Sequence, residues 1–165
     1  MELLKKLKNN IDWGLLIKNL AIPLLVGIIS GFATRSANEE FTATAVQPVF
    51  TPPAWVFPVA WTILYVLMGI SAYLIETTPY NTGKKNQALI TYYLSLFFNF
   101  CWSFIFFSFR QYVFAFIWLL VLLILVIIYT IKYFKIKKTA SYLNILYVLW
   151  LVFAGILNLS VYLLN

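Results

Sequence analysis

Apolar residues gather into five long runs with short polar breaks between them. The runs extend from about Ile17 to Thr34, Trp55 to Ile75, Ala88 to Phe109, Tyr112 to Phe134 and Tyr142 to Leu164. A helix needs about 20 apolar residues to cross the ~30 Å hydrocarbon core of a bilayer. The pattern therefore predicts an all-α integral membrane protein, a bundle of five transmembrane helices. The breaks read "RSANEEFTATAVQPVFTPP", "ETTPYNTGKKNQ", "RQ" and "KYFKIKKTAS". Arg110-Gln111 is so short that the third and fourth helices must be antiparallel neighbours. Ahead of the first run, Leu3, Leu4, Leu7, Ile11 and Leu15 fall near one helical face, with Lys and Asn over the rest. Residues 1–16 thus read as a short amphipathic interfacial segment, and 17–165 as one membrane domain. Ala43 and Ala45 form an A-x-A pattern, but too far beyond the apolar run for leader cleavage.

Composition agrees with a bilayer as solvent. Of 165 residues, 63% are hydrophobic and 10% charged, against about 45–50% and about 25% in a soluble domain. The net charge of +7 does not point to nucleic acid, because the cations sit in short clusters between spans rather than on a soluble face. With five spans, one side carries Lys5, Lys6, Lys8, Lys18, Lys84, Lys85, Lys132, Lys135, Lys137 and Lys138, and the other Arg35 and Arg110. That asymmetry predicts an N-terminus inside and a C-terminus outside. The chain has no histidine and a single cysteine, Cys101. An intramolecular disulfide is excluded, and zinc and non-haem iron sites lose their usual ligands. No metal is expected.

Within the last four spans, mid-membrane positions hold no Asp, Glu, Lys or Arg. This argues against a proton-driven pump and against intramembrane hydrolysis, both of which rely on an ionisable group. The spans carry aromatics and amides in register instead. Phe57, Trp61 and Tyr65 share a helical face, as do Asn99, Trp102 and Phe106, and again Tyr147, Trp150, Ala154 and Asn158. Asn99 and Asn158 are costly in hydrocarbon unless paired or facing a cavity, so they point into the bundle and bring their stripes with them. An aromatic-lined pocket and simple helix-to-helix packing both fit this spacing. Trp55, near a helix end, fits an interfacial belt, and Trp118 fits lipid contact or packing. Gly27 and Gly31 form a GxxxG pattern suited to close packing of the first helix, within the chain or in a dimer. Pro52 and Pro53 stiffen the entry to the second span, and Pro58 falls in or just after its first turn.

The stretch with Pro48, Pro52, Pro53, Trp55, Phe57, Trp61, Leu64, Tyr65 and Gly69 resembles a signature of the TspO/MBR family, the translocator and tryptophan-rich sensory proteins. The resemblance continues through "NFCWSFIFFSFRQ" (Asn99, Trp102, Phe106, Phe107, Arg110, Gln111) and "YVLWLVFAGILN" (Tyr147, Trp150, Phe153, Ala154, Leu157, Asn158), and so spans nearly the whole chain. It implies a five-helix bundle, often a homodimer, that binds tetrapyrroles such as protoporphyrin IX and haem and other hydrophobic small molecules. It places the ligand among the five helices, under the loop joining the first two, with Pro48, Pro52, Pro53 and Trp55 in the lid. Carried over by motif, the ligand-binding residues are Trp61, Tyr65, Asn99, Trp102, Phe106, Tyr147, Trp150, Ala154 and Leu157.

The chain departs from the family pattern at Phe41, Thr42, Gln47, Phe50, Ser95, Trp118 and Leu146. The aromatic wall survives these changes while some polar contacts are lost. Tyr162 is followed by Leu163, Leu164 and Asn165, so the proposed sterol pattern of a Tyr with a nearby Lys or Arg is not met. The expected function is a membrane receptor or sensor for a tetrapyrrole, needing no cofactor of its own, with Arg35 a candidate partner for propionates. Two alternatives compete. One is light-dependent porphyrin degradation with Trp61 and Trp102 as reactive indoles; the other is passive transport of porphyrin or another hydrophobic molecule. The short chain, rich in Ile, Lys and Asn, points to a bacterial plasma membrane.

Overall fold

The computed structural model describes residues 11–165. Among these the elements are α1 (Trp13–Ala33), α2 (Arg35–Thr44), α3 (Val56–Thr77), α4 (Thr82–Ser103), α5 (Tyr112–Ile136), α6 (Lys138–Tyr142) and α7 (Ile145–Leu164). A π-helical turn, Phe104–Ser108, extends α4. Five of these segments are long and apolar enough to cross a membrane: α1, α3, α4 with its π turn, α5, and α6 with α7. The protein is an all-helical integral membrane protein. Residues 1–10 of the expected interfacial segment lie outside the described residues.

Local chemistry sets the ends. Asp12 caps α1, its carboxylate accepting from Leu15 N at 2.9 Å, so the helix starts at Trp13 rather than at Ile17, where the apolar run begins. Asn81 caps α4 in the same way through Lys84 N at 3.0 Å. An N-cap acceptor satisfies an amide that the first helical turn leaves free. Val56 opens α3, so Pro58 sits in its first turn, where the missing N–H costs nothing. At the other end of α3, Lys85 Nζ donates to the carbonyls of Glu76 and Thr78 at 3.0 and 3.1 Å. A cation there complements the helix C-terminus.

The stretch 35–44, read from the sequence as loop, is helical. Its mostly polar residues offer little apolar period, and Phe41 is the one buried side chain of α2. The π turn was not visible in the sequence either.

Helix α1 packs along α3, α4 along α5, and α5 along α7. Gly69 permits the first of these pairings, because a Cβ there would meet the Asn19 carbonyl and Leu20 Cα. The inner core holds the buried rings of Tyr92, Tyr129, Tyr133 and Tyr147. It also holds a polar chain in which Tyr129 Oη donates to Asn144 Oδ1 at 2.9 Å and Asn144 Nδ2 to Ser71 Oγ at 2.6 Å. Lys18 pairs with Glu76 at 2.9 Å and Lys132 donates to Thr91 Oγ1 at 2.8 Å, both at this end of the bundle. Arg35 and Arg110 lie at the opposite end. A second aromatic core forms there around Phe41 and Phe106. Many large apolar side chains, Ile17, Phe32, Ile90 and Leu149 among them, point outward, as a lipid-facing surface requires.

Candidate functional site

The second core borders a cavity of about 610 Å³, within the range of small-molecule sites, roughly 300–1,000 Å³. One wall comes from α3, where the four-residue spacing turns Phe57, Trp61 and Tyr65 to the same side. Trp61 lies nearly parallel to Tyr65, ring centroids 5.5 Å apart, and meets Trp150 of α7 edge-on at 6.2 Å. Phe57 reaches Trp150 at 6.1 Å.

Asn99 of α4 fixes this wall. Tyr65 Oη donates to Asn99 Oδ1 at 2.7 Å, and Asn99 Nδ2 donates to Tyr147 Oη at 2.9 Å. One amide thereby joins α3, α4 and α7, and its polar atoms are satisfied in the buried interior. Further along α4, Trp102 stacks on Phe106 at 5.0 Å. Asn158 of α7 accepts from Trp102 Nε1 at a long 3.4 Å and donates to the Tyr112 carbonyl at 2.9 Å. The π turn adds a residue to the helical register, so that adjacent Phe106 and Phe107 both reach the cavity.

The facing wall is α1. A Cβ on Gly27 would overlap the Tyr65 ring, so this glycine makes room for the aromatic wall. A Cβ on Gly31 would meet nothing within 4 Å, because that position opens onto the cavity. The GxxxG pattern thus serves packing within the chain at Gly27 and an open wall at Gly31. Asn38, Phe41 and Thr42 of α2 form part of the roof, with Thr51, Pro52 and Ala54 of the following loop. Phe41 holds α2 down by edge contacts with Phe106 at 5.2 Å and Phe107 at 5.6 Å. Two polar ties secure this roof. Arg110 reaches Glu40 at 2.7 Å. The Asn165 amide pairs with both backbone groups of Val46, accepting at 2.9 Å and donating at 3.0 Å.

Of the residues expected to bind ligand, Trp61, Tyr65, Asn99 and Trp102 line the cavity, and so do Phe106, Trp150, Ala154 and Leu157. Tyr147 does not; it lies fully buried behind the wall, against Trp61 and Asn99. Among the expected lid residues Pro52 lines the cavity. Pro48 is buried in a turn whose carbonyl accepts from Thr51 N at 2.9 Å, and Pro53 and Trp55 are exposed. The cavity lies between four of the spans and α2; α5 contributes no residue to it. Trp118 of α5 packs instead, stacked on Phe98 at 4.3 Å with its indole N–H on the Phe98 carbonyl at 2.8 Å. Arg35 is outside the cavity, on the surface in an ion pair with Glu39 at 2.9 Å. Phe153, Phe41 and Gly31 join the wall without having been singled out for it.

Among the described residues no Asp, Glu, Lys or Arg lines the cavity; its polar groups are neutral amides, hydroxyls and indoles. Among the described residues no cluster of three or more His, Cys, Asp or Glu could hold a metal ion. The site can bury a flat apolar body between indole and phenyl faces and meet neutral polar atoms on it.

Comparison with known proteins gives this arrangement relatives. The model of the TspO/MBR family matches residues 19–164. The chain is 34% identical over 150 residues to "Tryptophan-rich protein TspO" of Archaeoglobus fulgidus, covering 91% of this chain and 96% of that protein. It is 30% identical over 156 residues to "Tryptophan-rich sensory protein" of Cereibacter sphaeroides, covering 94% of each. It is 28% identical over 138 residues to "Translocator protein" of Bos taurus, covering 83% of this chain and 82% of that one.

Proposed function

The chain belongs to the TspO/MBR family, and on that premise we propose that it is a membrane receptor for a tetrapyrrole. Protoporphyrin IX or haem would lie in the aromatic cavity. The observation that carries this reading is the convergence of Trp61, Trp102 and Trp150, from three different helices, on one cavity. A porphyrin is flat, broad and aromatic. Each indole or phenyl face it covers contributes about 0.5–1.5 kcal/mol beyond the burial of area. The Tyr65–Asn99–Tyr147 bonds hold the wall in place before the ligand arrives, which lowers the entropy cost of binding. Among the described residues the cavity wall holds no His, Cys or Met, and the hydroxyl of Tyr65 is engaged by Asn99, so recognition falls on the ring, and the iron-free porphyrin should bind about as well as haem.

Dark titration of the purified protein with protoporphyrin IX, followed by tryptophan fluorescence, tests the reading. Saturable quenching that Trp102→Phe weakens supports it, and quenching without saturation counts against it. The lysine-rich end faces the cytoplasm in this account, in a bacterial plasma membrane, and the cavity lies toward the outer face.

A second reading draws on the same geometry. Trp61 and Trp102 both line the cavity, where an excited porphyrin and oxygen could oxidise them or be consumed beside them. Irreversible bleaching of bound porphyrin in light, beyond that in empty detergent, would establish it.

A further inference from the structure

We infer that the corner joining α5 to α6 is a binding site for an anionic phospholipid, with Lys135, Lys137 and Lys138 around the headgroup phosphate and the Phe134–Tyr142 pair beneath it. The inference is independent of the cavity, which lies toward the other end of the bundle.

The first observation is unbalanced charge. Asp12 and Glu76 are the acids of this end among the described residues. Asp12 caps α1, and Glu76 is taken by Lys18 at 2.9 Å. Lys85 is engaged by the carbonyls that end α3, and Lys132 by Thr91 Oγ1 and the Gln87 carbonyl. Lys135, Lys137 and Lys138 are exposed and pair with no acid among the described residues. Lys137 is extended and separates the two helices. A helix C-terminus favours a nearby cation, which accounts for Lys135 in the last turn of α5. Two more lysines directly after it, again without an acid, exceed that need.

The second observation is what lies beside the charge. Lys138 Nζ sits 5.5 Å from the centre of the Phe134 ring, and Phe134 meets Tyr142 edge-on at 6.1 Å. Both rings face outward, 44% and 57% exposed, so they hold the cation at the surface rather than close the core. Along α5, Ile131 and Ile127 continue the face of Phe134 at helical spacing and are exposed as well. Setting the topology asks only for positive charge on one side. It does not ask for a paired aromatic shelf under one lysine, with an apolar strip running into the membrane from it. That combination fits a lipid: lysines for the phosphate, rings at the interface and the strip for an acyl chain. A free phosphate would use the lysines and leave the strip uncovered.

The test uses the full chain in neutral detergent, with native mass spectrometry counting bound lipid. The probes are phosphatidylglycerol and phosphatidylcholine with the same acyl chains, and each variant is first shown to be monodisperse by gel filtration. Wild-type protein should retain phosphatidylglycerol about tenfold more tightly than phosphatidylcholine. Replacing the cluster, Lys135→Gln with Lys137→Gln and Lys138→Gln, should remove most of that preference. Lys5→Gln with Lys6→Gln and Lys8→Gln removes as many charges from the same chain and should keep it. Phe134→Leu leaves every charge in place and should weaken phosphatidylglycerol about two- to fivefold, with phosphatidylcholine unchanged. Equal retention of the two lipids by wild-type protein overturns the site, and equal losses in the two lysine triples reduce it to general attraction by net charge. Displacement of phosphatidylglycerol by an equal concentration of inorganic phosphate would overturn the lipid assignment. Unchanged retention in Phe134→Leu would overturn the role of the aromatic shelf.

Discussion

The phenol of Tyr65 donates to the side-chain carbonyl of Asn99 across 2.7 Å, although 34 residues separate them in the chain. This bond sits where the cavity wall meets the buried tyrosine core. On one side Tyr65 stacks with Trp61 at 5.5 Å; on the other Asn99 passes the link to Tyr147 at 2.9 Å. The cavity shape and the packing of three helices thus depend on one amide.

Tyr65→Phe removes the donor and leaves the ring. Asn99 Oδ1 is then buried without its partner, which should cost about 1–3 kcal/mol. Thermal unfolding in detergent should show a lower midpoint. Porphyrin affinity should fall by a smaller factor, since the stack with Trp61 survives. An unchanged midpoint would remove Asn99 as the keystone of the wall.

Two glycines should respond in opposite ways. Gly69→Ala places a Cβ against backbone atoms, 2.7 Å from the Asn19 carbonyl oxygen and 2.8 Å from Leu20 Cα. Helices α1 and α3 must separate, at a cost of about 1–3 kcal/mol. Gly31→Ala meets nothing within 4 Å and loses only the penalty of a glycine in a helix, so its stability should hold or rise by about 0.5–1 kcal/mol. Thermal midpoints of the two variants, measured side by side, check the contrast.

The roof is held by weak ties. The Arg110–Glu40 pair is well exposed, and such pairs contribute about 0–1 kcal/mol. Arg110 also has a φ of 52°, a left-handed conformation uncommon outside glycine. Glu40→Gln should leave the unfolding midpoint nearly unchanged while raising the ligand dissociation rate by about two- to fivefold. Asn165→Ala, which releases both backbone groups of Val46, should act in the same direction. Stopped-flow displacement would measure both. Unaltered rates would show that the ligand does not pass beneath α2.

Much of the site could be read along the chain, because helical spacing and the cost of amides in hydrocarbon leave few choices. Trp61 and Tyr65 had to share a face, and Asn99 had to find partners inside the bundle. Tyr147 obeyed the same stripe as Trp150 but sits a turn away, behind the wall, where Asn99 takes its hydroxyl. Depth along a helix is not encoded in its period. Helix α2 stayed hidden because ten residues burying only Phe41 make too faint a pattern. The π turn stayed hidden because no residue type marks it; only the joint presence of Phe106 and Phe107 at the cavity reveals the extra residue. Gly31 looked like a packing motif, and its open side appears only once α1 faces the cavity.

Whether a porphyrin occupies this cavity is decided by a dark titration of protoporphyrin IX into wild-type protein and Gly31→Trp, each shown by gel filtration to be folded and monodisperse. Wild-type protein should show saturable quenching and the variant should lose it, since a side chain at Gly31 enters the space the ligand needs. Equal saturable binding by both proteins would contradict it and place the porphyrin somewhere other than this cavity.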